Sequence, residues 1–174
     1  MDETLAQNLN IELVRVDNRL VHGQILESWV PHVKAQCIIV ADDAIAGDVF
    51  NKTVIRMAVP SEIELIINTI EDFVHNFVFE RNSGKNTIVL FSSIKDVCKA
   101  FALGFHFDKL NIGNIHHENF KVCCSPSVFL CDTEIDDILK LLENSGVAVE
   151  LKRVPQEKAV NIKEALKNYC KNST

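Results

Sequence analysis

A chain of 174 residues, 47% hydrophobic and 24% charged with a net charge of −6, is sized for one domain that buries about 70% of its unfolded surface. Its Lys and Arg never form runs, with Lys152-Arg153 an adjacent pair, which excludes a general nucleic-acid binder, whose target phosphates need clustered cations. No apolar stretch approaches the ~20 residues of a membrane span, and residues 1–10 lack the basic start and apolar core of a signal peptide, so a cytoplasmic location with reduced cysteines is expected.

Residues 1–10 read as an N-terminal extension and 11–174 as a single domain. The first element is an apolar run over 11–16, a strand. It ends in Asp17-Asn18-Arg19-Leu20-Val21-His22-Gly23-Gln24, a strand-to-helix turn whose residue types suit a phosphoryl group in transit. An imidazole such as His22, with an ordinary pKa of roughly 6.5, offers a ring-nitrogen lone pair to phosphorus near neutral pH. Arg15 and Arg19 carry planar guanidinium forks that match phosphate oxygens, the two halves of a clamp. Gly23 allows close backbone approach, and a helix starting near Gln24 points its first N–H groups at the same spot. Asp17 accepts a hydrogen bond from His22 or Arg19 and so orients it. The plainer alternative is a solvated turn in which Asp-Asn merely caps a helix.

The helix after Gln24 should kink or stop near Val30, because Pro31 lacks an N–H and clashes with the Glu27 carbonyl; Trp29 anchors it. Strands follow at 37–41, 63–67, 87–91, 109–112, 122–129 (interrupted at Pro126) and 147–152, several apolar on both faces. Between them the pattern predicts helices over 44–58, from Thr69 to about Glu80, over 94–103 ending at Gly104, over 133–144 with Thr133 as a hydroxyl cap and Gly146 as terminator, and over 161–169. This alternation implies an α/β fold: a mostly parallel open sheet of about seven strands, flanked by helices on both faces, with an antiparallel edge strand near the C-terminus.

In such sheets ligands sit beyond the carboxyl ends of the strands. The post-strand loops therefore bring Ser92, Ser93 and Gly113 toward the His22 turn as further phosphate ligands, although Ser92 and Ser93 equally suit capping of the next helix. Asp42 and Asp43 read as helix caps. Cys37, Cys98 and Cys131 read as small core residues, and His32, His75 and His106 as packing or surface residues. His116-His117 and Cys123-Cys124 lack zinc-ligand spacing, so no metal is expected. A P-loop and a G-x-G-x-x-G pattern are both missing, so no nucleotide or other cofactor is expected. No nucleophile elbow surrounds Ser92-Ser93, which sets a hydrolase aside.

The string Arg15-Val16-Asp17-Asn18-Arg19-Leu20-Val21-His22-Gly23-Gln24 resembles the signature of the enzyme IIB subunits of the mannose/fructose/sorbose class of the bacterial phosphoenolpyruvate-dependent sugar phosphotransferase system. The resemblance continues in order through Ile38-Ile39-Val40-Ala41-Asp42-Asp43, Lys52-Thr53, Leu90-Phe91-Ser92, Asn111-Ile112-Gly113-Asn114, Ser127-Val128-Phe129-Leu130, Val147-Ala148-Val149-Glu150-Leu151 and Val154-Pro155. The chain departs from the family pattern where Asn18 replaces an acidic or small residue, where Asn114 replaces a second glycine, and where Ile115-His116-His117-Glu118-Asn119 replaces a Gly-Lys-rich loop. The resemblance implies a phosphocarrier that accepts a phosphoryl group on His22 from a phosphohistidine of a IIA partner. The group then passes to a sugar held by the membrane components IIC and IID, at whose cytoplasmic face the protein would sit. It leaves room for a homodimer. Two other readings use the same residues: a regulatory phospho-acceptor uncoupled from transport, and a non-catalytic domain that holds an anion.

Overall fold

The structure, a computed structural model, describes residues 10–79 and 84–172. Apart from Asn10 the expected N-terminal extension lies outside these residues, as do Glu80 and the start of the loop that follows. Strand β1 (Asn10–Asp17) is central. With β2 (Cys37–Ala41), β3 (Glu64–Asn68), β4 (Asn86–Phe91), β5 (Lys109–Asn114), β8 (Ala148–Leu151) and β9 (Val160–Asn161) it forms, among the described residues, one seven-stranded sheet in the order β3-β2-β4-β1-β5-β8-β9. Every pairing is parallel except that of β9 with β8, where Glu150 faces Asn161 and Leu151 faces Val160.

The strands alternate side chains between two apolar layers, which is why their sequences are apolar without a polar face. Val14, Val16, Ile39, Val89, Phe91, Leu110 and Ile112 face one layer. Helices α4 (Ile70–Phe79), α5 (Ile94–Ala102), α6 (Asp132–Asn144) and α7 (Ile162–Asn172) cover it, contributing Phe73, Ile94, Val97, Ile135, Ile138 and Leu166. Leu13, Ile38, Val40, Ile88 and Leu90 face the other, closed by Leu20, Ile25 and Trp29 from the segment after β1. The connections leaving β1 and β4 thus turn to opposite faces. The carboxyl ends of these two adjacent strands are the position where such sheets hold ligands.

Several expected elements take a different form. The segment read as one strand over 122–129 is a separate antiparallel hairpin, β6 (Val122–Ser125) and β7 (Val128–Leu130), because Pro126 cannot donate to a ladder and the chain turns there. It is joined to the end of β5 by an Ile115–Val128 bridge and by the Ser127 Oγ bond to the Gly113 carbonyl, 2.7 Å. The helix predicted over 44–58 is two, α2 (Asp43–Gly47) and α3 (Val49–Ala58), because Asp48 leaves the helical conformation and caps α3 through Asn51 N–H. Thr133 does not cap α6; Cys131 occupies that place, with Glu134 reaching back to its N–H at 2.9 Å. Gly146, at φ 69°, ends the same helix in the left-handed region that glycine adopts without cost.

The expected irregularity at Pro31 is a change of helix type. A π-helical turn, Gln24–Trp29, runs into the short helix α1 (Val30–Val33) with Pro31 in its first turn. In an α-helical ladder the Glu27 carbonyl would face the N–H that Pro31 lacks; π spacing carries the bond one residue further and avoids the loss.

Phe105 is fully buried, with ring centroids 4.8 Å from Phe73, 5.0 Å from Phe77 and 5.4 Å from Phe107. Phe105→Ala is expected to lower stability by about 3–5 kcal/mol, to be measured by urea unfolding followed by circular dichroism. A loss near that of an exposed site would show that this aromatic group does not hold α4 and α5 on the sheet.

Candidate functional site

The last residues of β1 alternate as the strand does, so Arg15 and Asp17 point to the same face as Leu13. The chain then reverses. Leu20 N–H bonds the Asp17 carbonyl at 2.9 Å and Asn18 N–H bonds the Asn114 carbonyl at 3.0 Å. Leu20 adopts φ 51°, a left-handed conformation that costs an L-residue about 1–2 kcal/mol; burial of its side chain against Ile25 and Leu90 offsets the strain. This reversal carries His22 back over the strand end it has just left.

Asp17 is the hub and has no exposed surface. Its Oδ2 accepts from Arg15 Nη2 at 2.8 Å and from His22 Nε2 at 2.9 Å. Oδ1 accepts from the backbone N–H of Arg19 at 3.1 Å and, more loosely, from its Nε at 3.4 Å. Burial works to raise the pKa of this carboxyl, but the hydrogen bond from His22 and the charge of Arg15 outweigh it and hold the pKa below the ordinary value. Asp17 is therefore an acceptor only, and the ring nitrogen facing it, Nε2, carries hydrogen. The other nitrogen, Nδ1, receives the backbone N–H of Gln24 at 3.4 Å, so it presents its lone pair. His22 is fixed as the Nε2–H tautomer by a donor on one side and an acceptor on the other.

Around this ring the expected residues divide. Arg19 is nearly half exposed and reaches the Gln24 side chain at 3.0 Å, so its guanidinium lies at the mouth. Gly23 and Gln24 follow at the start of the π-helical turn. Arg15, expected as the second half of a clamp, lies elsewhere: it is fully buried behind Asp17. Nη1 is bound to Asn111 Oδ1 and to the Lys152 carbonyl at 2.8 Å, and Nη2 to the Arg153 carbonyl at 3.1 Å as well as to Asp17. Gly113, expected as a phosphate donor, lies against this guanidinium, where a Cβ would occupy the same space. Ser92 and Ser93 turn their hydroxyls to Asp96 Oδ2 at 3.3 and 2.7 Å, and Ser93 caps α5, the capping alternative read from the sequence. Asp42 caps α2; Asp43 receives Ile70 N–H at 2.8 Å and pairs with Lys99 at 2.9 Å.

Sequence reasoning missed Asn111 and the carbonyls of Lys152 and Arg153. The first had a signal, an amide between Leu110 and Ile112 in an apolar strand, which is buried and needs a partner. Backbone acceptors leave no trace in side-chain types. The two departures from the expected pattern meet each other, since Asn114 Nδ2 donates to Asn18 Oδ1 across the ends of β1 and β5.

An imidazole whose Nδ1 lone pair is available, beside an exposed arginine and first-turn N–H groups, can attack an electrophile that carries negative oxygens. Comparison with known proteins finds relatives along nearly the whole chain. The family profile described as "PTS system sorbose subfamily IIB component" matches residues 11–174. The chain is 29% identical over 163 residues to the fructose-specific EIIB component of the phosphotransferase system of Bacillus subtilis (strain 168), covering 94% of this chain and 99% of that protein. It is 28% identical over 154 residues to the sorbose-specific EIIB component of Klebsiella pneumoniae, covering 88% and 93%. The crystal structure of the IIBSor domain of the Klebsiella pneumoniae sorbose permease superimposes with a TM-score of 0.84 at 27% identity, covering 92% of this chain and 98% of that one.

Asp17→Asn leaves Arg15 buried without its counter-charge and is expected to destabilise the protein by about 3–5 kcal/mol at neutral pH. Because the folded carboxyl titrates below the unfolded value of about 3.9, its contribution is present above that value and is lost as pH falls through the lower, folded one. The difference between wild type and variant, read from urea unfolding, should therefore shrink below about pH 4; a difference independent of pH would overturn this account of Asp17.

Proposed function

Since the chain belongs to the sorbose-subfamily IIB components of the sugar phosphotransferase system, a family of phosphoryl transfer in sugar uptake, we propose that Nδ1 of His22 is the atom that carries the phosphoryl group. The donor is a phosphohistidine of a IIA partner, and the acceptor is a sugar presented by IIC and IID. The observation that supports this most is the pair of contacts on the ring, Asp17 on Nε2 and the Gln24 N–H on Nδ1. The lone pair of Nδ1 attacks phosphorus as the N–P bond of the donor breaks. The Nε2 proton stays on the ring and is held by Asp17, so the phosphorylated ring is cationic and remains a good leaving group for the second transfer. Asp17 thus serves both directions by favouring that charge.

Arg19 is the cation for the phosphoryl oxygens. Its present partners are weak, a 3.4 Å contact to Asp17 and the neutral Gln24 side chain, so it can swing to an arriving dianion at small cost. The Gln24 N–H, already directed at Nδ1, becomes a donor to the bound group, with Gly23 leaving the approach clear of a side chain. Positioning and charge supply the catalysis, and these residues do so without a nucleotide or metal. Among the described residues no helix is long and apolar enough to cross a membrane, and we place the protein at the cytoplasmic face through contact with IIC and IID.

Incubation with enzyme I, HPr, IIA and labelled phosphoenolpyruvate should place acid-labile phosphate on the wild type and none on His22→Ala; stoichiometric label on the variant overturns the assignment. Arg19→Lys loses the bidentate fork and should slow transfer at least about tenfold. Wild-type rates in that variant would remove the clamp.

A further inference from the structure

Arg15 is among the largest fully buried side chains of the described residues and has no exposed surface. Taking a guanidinium out of water costs several kcal/mol, and an apolar side chain of similar volume would fill the same space at less cost. The fold nevertheless goes to some length to seat it. Two backbone carbonyls from the end of β8, Lys152 and Arg153, turn inward to accept its protons, and Asn111 supplies a third acceptor. The indole of Trp29 lies over it, 5.4 Å from ring centre to Cζ, and donates its own N–H to the same Arg153 carbonyl at 2.9 Å. Gly113 is not in the left-handed region, so its backbone does not call for glycine. Its lack of a side chain is explained by space alone, since a Cβ there would overlap the guanidinium.

We propose that Arg15 is a positioning residue for His22, seated by Gly113 and the Lys152 and Arg153 carbonyls, and that the segment after β8 is thereby a working part of the phosphoryl-acceptor site. The proposal rests on the assignment of Nδ1 as acceptor. Its physical basis is the oxygen that Arg15 and His22 share. Asp17 Oδ2 takes a proton donor from each. With Arg15 in place Asp17 stays an acceptor, the ring keeps its hydrogen on Nε2, and Nδ1 keeps its lone pair, met only by the long Gln24 N–H contact. Without Arg15 a carboxylate in that buried place has only Arg19, at 3.1 and 3.4 Å, and His22 to balance it. It takes up a proton and becomes a donor to Nε2. The ring hydrogen then moves to Nδ1, the nucleophilic lone pair is lost, and Nδ1 faces the Gln24 N–H with a second donor. Arg15 thus acts on the reacting atom through Asp17 while touching neither partner protein nor phosphoryl group.

Two variants separate this from a structural role. Arg15→Met keeps the length of the stem and removes the charge; Gly113→Ala keeps the charge and evicts it from its seat. The nitrogen-15 spectrum of the His22 ring in the unphosphorylated protein, above the imidazole titration, should show the Nε2–H tautomer in the wild type and a shift toward Nδ1–H in both variants. Transfer from phosphorylated IIA should fall at least about tenfold in kcat with KM for IIA unchanged. Should Arg15→Met not fold, Arg15→Lys serves in its place: it restores a charge but cannot reach the carboxylate and both carbonyls, and is expected to lie between wild type and Gly113→Ala. A wild-type tautomer and kcat in folded Arg15 and Gly113 variants overturns the proposal. Failure of the wild type to be labelled at His22 overturns the functional reading instead, and the tautomer measurement distinguishes the two.

Discussion

A buried carboxylate constrains everything near it. Asp17 sits at the carboxyl end of the central strand with no exposed surface, where its charge must be answered by donors from the protein itself. Three residues answer it, each from a different direction: Arg15 from within the sheet, the Arg19 backbone from the turn, and His22 from above. The strand end, the left-handed Leu20 and the first helical turn are all set so that these donors converge. The apolar layers on both faces of β1 exclude the water that would otherwise compete for the same oxygens. The core and the chemistry are therefore not separable here, since the first makes the second strong.

The parallel sheet was legible because buried strands have no polar face to interrupt them: Ile38, Ile39 and Val40 read as apolar on both sides and are buried on both. The His22 turn stood out as a candidate site because few other roles gather His, Arg, Asp and Gly in so few residues, and the structure brings Asp17, Arg19 and His22 of that turn together. Other features were hidden for identifiable reasons. The break at Asp48 is a cap inside an otherwise continuous helical pattern, and side-chain periodicity does not see caps. Residues 122–129 have strand composition, and only the turn around Pro126 decides that they fold back on themselves. Arg15 was misplaced because residue type says what a guanidinium can bind, while its depth depends on the strand's alternation and on acceptors from the distant Lys152 and Arg153 backbone.

The two asparagines that depart from the family pattern also gain a reason. Asn18 and Asn114 bridge the loops after β1 and β5 by side-chain and backbone bonds, so the substitutions act as one unit. An amide pair brings no charge to the rim, leaving Asp17 and the cations around it to set the local field. Next to it, residues 115–121 lead into the β6–β7 hairpin, with Phe120 and Phe129 in edge contact at 4.9 Å.

Trp29 is the chain's single tryptophan, and its placement has an optical consequence. Its indole lies over Arg15 and is bonded to the Arg153 carbonyl, with two residues, Arg15 and Asp17, between it and the histidine ring. An indole's emission follows the charge at its face and the partner of its N–H. The protein therefore contains its own fluorophore at the back of the site, against the guanidinium that pairs with Asp17.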